Sequence, residues 1–119
     1  LATTLKLVTA INCIGIGISF QRGKHTRWQL VANDGTGAPT LTDMGASFAI
    51  ATGGVLTILI AGPPNGGSVW VRVVDEVSGA VLEQEIAADL PANTEFLSPR
   101  LYLNTGATAA AVAYNSTRV

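Results

Sequence analysis

His25 is the only histidine in the 119-residue chain, so a serine or cysteine nucleophile working through an imidazole base would have to use it. It sits beside Lys24 and close to Arg27 in a basic turn, the setting of a solvated loop histidine rather than a poised base. Cys13 is the only cysteine. It has no internal partner for a disulfide, and within an apolar run it reads as an inert buried thiol. Glu83 and Glu85, two apart on one strand, lie ~5 to 10 Å from one another, a separation that glycosidase carboxylates use. No cleft signature accompanies them, so they read as a solvated face. Gly35-Thr36-Gly37 lacks the further glycines and the lysine of a phosphate loop. Asn33, Asp34, Asp43 and Asp89 carry oxygens of the kind calcium takes, but in loops such side chains cap turns, and that is the expected role here. One histidine and one cysteine make no transition-metal set. The residues therefore predict no enzyme, no metal site and no cofactor.

Exposed aromatic rings are the other route to function, since sugars stack on them and subunits bury them. Trp28 shares a strand face with Leu30 and Ala32 and is expected in the core. Trp70 shares its face with Arg72 and Val74, opposite Val69, Val71 and Val73, and is the better candidate for an exposed ring. The candidate carbohydrate or subunit contacts are thus Trp70 and Arg72, joined by Tyr102 and Tyr114 on the final strands.

The elements that must position these residues centre on the stretch from Gly54 to Ile86, which reads as three consecutive antiparallel strands. Val55 to Ala61 is a nearly unbroken aliphatic and β-branched run, predicting a strand covered on both faces. Gly62 to Gly67 is a turn. Ser68 to Asp75 alternates, and Glu76-Val77-Ser78-Gly79 reverses the chain, with Gly79 supplying the positive φ of a tight hairpin. Ala80 to Ile86 alternates again, with Val81, Glu83 and Glu85 on the wetter face and Leu82, Gln84 and Ile86 on the other.

Before this meander, Thr4 to Ala10 reads as a strand. Cys13 to Phe20 sets Ile14, Ile16, Ile18 and Phe20 on one face, and its small opposite face invites another layer to approach closely. Thr26 to Ala32 is a further strand, and Asn33 to Pro39 is dense in turn residues. Thr42 to Gly45 reads as a local turn, followed by a strand over Ser47 to Ala51 with Phe48 and Ile50 on one face. After the meander, Ala87 to Asn93 is a loop with room for a short helical turn. Thr94 to Leu97 leads into Arg100-Leu101-Tyr102-Leu103, and Ala107 to Tyr114 makes the last strand, with a helix the alternative because of its alanines. About eight or nine short strands and no convincing helix predict an all-β, antiparallel two-sheet sandwich, jelly-roll-like.

Composition sets the bounds. The length suits a single domain over residues 1–119 that needs no disulfide or metal staple. Seven basic against eight acidic residues leave a net charge of −1, which offers nothing to attract nucleic acid. Only 13% of residues are charged, about half the usual share, as expected of a domain partly covered by other protein. The apolar runs break well before the ~20 residues that span a bilayer, so no membrane insertion is expected. Starting at Leu1 and stopping at Val119 inside a strand-like segment, the sequence reads as part of a longer polypeptide.

The segments Arg27-Trp28-Gln29-Leu30-Val31-Ala32-Asn33-Asp34-Gly35, Pro39 to Phe48, Ala61-Gly62-Pro63-Pro64-Asn65-Gly66-Gly67-Ser68-Val69-Trp70 and Asp89-Leu90-Pro91-Ala92-Asn93-Thr94 resemble a domain of structural proteins of tailed bacteriophages. Such domains are concanavalin-like or laminin-G-like sandwiches on tail fibres, spikes and other appendages. The resemblance covers the chain from about Arg27 onward and rests mainly on turns and alternating strands. It implies a virion component, located in the virion, that acts in assembly or host attachment. Its implied partners are other copies of itself and other virion proteins. The alternative is a lectin-like module recognising host-surface glycan. The resemblance carries over no sugar or calcium ligands.

Overall fold

The computed structural model describes residues 14–21 and 23–98. The strands expected over Thr4 to Ala10, Arg100 to Leu103 and Ala107 to Tyr114, together with Cys13, Tyr102 and Tyr114, lie outside the described residues. Within them the protein is all-β, with two antiparallel three-stranded sheets and one short 3-10 turn. In one sheet β1 (Gly15–Ser19), β2 (Gln29–Asn33) and β3 (Thr40–Asp43) lie in sequence order. In the other, β4 (Leu56–Ala61), β5 (Val69–Asp75) and β6 (Val81–Ile86) do the same.

Period-two patterning explains which side chains meet. In the first sheet Ile16 pairs with Ala32 and Ile18 with Leu30; Leu30 and Ala32 are buried, and the isoleucines pack against the core. In the second, Ile58, Val73 and Leu82 lie in register, as do Ile60, Val71 and Gln84. Val71 and Val73 are fully buried, and together with Leu30, Met44 and Phe48 they form one cluster drawn from both sheets. That cluster is the core.

Three expectations outside the central meander are corrected. Ser47 to Ala51 is not a strand: Ala46–Phe48 is a 3-10 turn, and Phe48 is buried while Ile50 is exposed. Backbone bonds decide this conformation. Trp28 N–H donates to Phe48 O (3.0 Å), Met44 N–H to Trp28 O (3.0 Å) and Ile50 N–H to Thr26 O (3.2 Å), clipping the segment to the start of β2 so that the phenyl ring enters the core. Second, Thr40–Asp43 is a strand where only a turn over Thr42 to Gly45 was expected; its four residues are all exposed, so no apolar alternation marks it. Third, the small face of β1 is covered at one end only: an added Cβ at Gly15 or Gly17 would meet nothing within 4 Å, whereas Ser19 on the same face is fully buried.

The β5–β6 reversal follows the expectation. Gly79 has φ 76°, its N–H donates to Asp75 O (2.7 Å), and the Asp75 carboxylate accepts from the N–H groups of Val77 (2.9 Å) and Ser78 (3.2 Å). These bonds, that from Val77 foremost, hold the Asp75 carboxyl below the usual carboxylate range. A depressed folded-state pKa means that the stabilisation is complete above the ordinary carboxylate pKa and is lost as pH falls through the lower folded value. Asp75→Asn is therefore expected to be less stable than the wild type at neutral pH, with the difference shrinking in acid. Urea unfolding of both proteins across that range measures it.

Candidate functional site

Alternation along β5 sends Val71 and Val73 inward and leaves Trp70 and Arg72 outside. Trp70 is 53% exposed. Register places Trp70 between Ala61 of β4 and Glu85 of β6, and Arg72 between Leu59 and Glu83. Leu59, Ala61, Trp70, Arg72 and Glu83 line an open depression of about 280 Å3. The Arg72 guanidinium pairs with the Glu83 carboxylate, Nε to Oε1 3.6 Å, both side chains more than half exposed. Such a pair contributes little stability, and it joins β5 to the acidic strand β6 across the outer face. The outer face of this sheet thus has two characters: apolar along β4 and Trp70, acidic along β6.

The larger surprise is β4. A nearly unbroken aliphatic and β-branched run predicted a strand covered on both faces, and the structure corrects this: Ile58 is 40%, Leu59 59% and Ile60 42% exposed. Leu56 packs against the core, but beyond it the strand runs along the margin of its sheet among the described residues. Ile58 and Ile60 face the same side as Val71 and Val73 and stay only partly covered, because the buried cluster is centred on β5. Sequence patterning names the apolar residues of a strand; it does not say how far the opposite layer extends.

The remaining candidates take part in local packing and turn hydrogen bonds. Trp28 is half-buried against the core, its ring 5.9 Å from that of Phe20. His25 Nδ1 accepts from the Gln21 N–H at 3.1 Å, closing the turn between β1 and β2. Asn33 Oδ1 accepts from Gly35 N–H (2.9 Å) and Asp34 Oδ1 from Thr36 N–H and Oγ1 (both 2.7 Å). Those bonds, the threonine hydroxyl first, lower the Asp34 pKa. Asp43 accepts from Gly45 N–H (2.7 Å), the main reason its pKa is lowered, and from Gln29 and Arg27. Asp89 accepts from the Thr40 hydroxyl. These acids are spread over separate turns, and no group of three or more histidine, cysteine or acidic residues able to hold a metal occurs among the described residues.

No helix among the described residues is long and apolar enough to cross a membrane. Comparison with protein-family models, curated proteins and solved structures finds no match for the chain.

Proposed function

We propose that the chain is a β-sandwich module of a bacteriophage virion, jelly-roll-like in form, that works in assembly or host attachment through contacts with other copies of itself and with neighbouring virion proteins. The observation that carries this reading is the apolar strip of Leu59, Ala61 and Trp70, continued by Ile58 and Ile60 around the margin of the sheet. A strip that wraps two faces of one strand suits a protein partner better than a flat ring of sugar. Low charge and the resemblance of Arg27 to Thr94 to phage appendage domains support it.

The second reading is a lectin-like module with Trp70 as the stacking platform. It has one observation in its favour: Glu85 sits beside the exposed ring in register and offers a carboxylate to sugar hydroxyls. Glycan-array screening and light scattering on the same preparation separate the two. The structural reading expects an oligomer with no glycan signal, and its Trp70→Ala variant should associate less tightly. A monomer that binds a defined sugar and loses it in Trp70→Ala would replace that reading with the lectin.

A further inference from the structure

We infer that the edge of β4, which pairs with no other strand among the described residues, is a self-pairing interface, at which a second copy of this chain adds its own β4 antiparallel across a two-fold axis. This deepens the subunit-contact reading above and rests on it. The first ground is the direction of the backbone groups. Glu76 N–H donates to Val55 O (2.9 Å), and the β4–β5 register runs on from that pair through Leu56 with Asp75 to Ala61 with Trp70. Antiparallel ladders alternate, so Thr57, Leu59 and Ala61 bond inward to β5, while Leu56, Ile58 and Ile60 direct their N–H and C=O groups to the open margin. The residues whose backbone groups point away from β5 therefore include the two partly covered isoleucines.

The second ground is composition. Sheet edges are normally blunted by charge, proline or a bulge. The opposite margin of the same sheet, β6, carries Glu83 and Glu85, and β3 carries Asp43 and two threonines. Leu-Thr-Ile-Leu-Ile-Ala of β4 has no charge and no proline, so nothing in it repels an identical strand. β1 is also uncharged, but its isoleucines pack into the core.

The third ground is self-complementarity. With the two-fold axis at Leu59 and perpendicular to the sheet, Ile58 lies opposite the partner's Ile60 and Ile60 opposite the partner's Ile58, forming hydrogen-bonded pairs. Leu59 then meets the partner's Leu59 on the outer face, close to Trp70. All three exposed aliphatic residues are covered at once, and the faces of the two sheets remain continuous. A two-fold contact of this kind closes on itself and gives a dimer rather than a fibre. The strip is about 20 Å long, so the contact falls below the ~800 Å2 per partner of a standard interface and the dimer is expected to be concentration-dependent.

The test is sedimentation velocity of the whole chain over a wide concentration range, with amide hydrogen exchange at Ile58 and Ile60, on the wild type, Leu59→Lys and Val81→Lys. Leu59 and Val81 are both exposed on the outer face, one at each margin, so neither lysine is expected to disturb folding. The wild type and Val81→Lys should dimerise, with amide protection at Ile58 and Ile60 rising with concentration. Leu59→Lys should associate at least ten-fold more weakly and lose that protection. Dimers that survive Leu59→Lys but dissociate in Trp70→Ala would overturn edge pairing and leave the broader subunit-contact reading standing. A wild type that stays monomeric at all concentrations overturns both, and if its Ile58 and Ile60 amides are nevertheless protected, the chain's own residues occupy the edge.

Discussion

Phe48→Ala is expected to destabilise the protein by about 3–5 kcal/mol, the range for deleting a buried phenylalanine. The ring is 3% exposed and belongs to the cluster of Leu30, Met44, Val71 and Val73 that draws on both sheets. Removing it leaves a cavity where the two sheets meet. The three backbone bonds that clip residues 44–50 to Thr26 and Trp28 limit how far the segment can collapse into the space, which argues for the upper part of the range. Since a domain of this size has a total stability of about 5–15 kcal/mol, the variant should lose much of it. Guanidinium unfolding followed by tryptophan fluorescence measures the change, and a thermal scan should show the midpoint falling by on the order of 10 °C or more. A loss below about 1 kcal/mol would mean that the 3-10 turn does not anchor Phe48 in the core.

Leu30→Ala against Leu59→Ala applies one chemical change to two strands. Leu30 is 1% exposed and pairs with Ile18 and Thr42; its truncation is expected to cost about 2–5 kcal/mol by lost burial plus the cavity left behind. Leu59 is 59% exposed, and in the monomer its truncation should fall within about 0.5 kcal/mol of neutral, as surface changes do. Urea unfolding at low protein concentration, below self-association, checks both. Equal losses would mean that β4 is as buried as its composition suggests, which would remove the basis for an interface there. The pair is informative because β4 reads from composition as the more buried of the two strands.

Acid sensitivity connects the same elements to their turns. Asp34, Asp43 and Asp75 all have lowered pKa values from bonds to turn N–H groups or, for Asp34, chiefly the Thr36 hydroxyl. Each therefore loosens its turn when protonated, in the same direction as the Asp75→Asn comparison. The side-chain bonds that lower these pKa values are those by which aspartates cap turns.

Local physical chemistry was enough to read several elements from the residues alone. The alternation of Ser68 to Asp75 separated buried Val71 and Val73 from exposed Trp70 and Arg72, because successive strand residues must point to opposite faces whatever surrounds them. Gly79 marked its hairpin, since a positive φ is a property of the residue as much as of the fold. The same logic put Leu30 and Ala32 together inside. Other features depended on partners distant in sequence. Phe48 and Ile50 carry a strand-like spacing, yet bonds to Thr26 and Trp28 wind the segment into a 3-10 turn and bury only one of the two. Thr40 to Asp43 has no apolar period and becomes a strand because β2 offers it a ladder. The candidate site divides in the same way. Its aromatic and its arginine were legible in one strand, whereas the apolar margin beside them was not: Val55 to Ala61 has the composition of a covered strand, and only the tertiary structure decides that Ile58, Leu59 and Ile60 stay partly exposed, on a strand that stands at the edge of its sheet among the described residues, because the buried cluster is centred on β5.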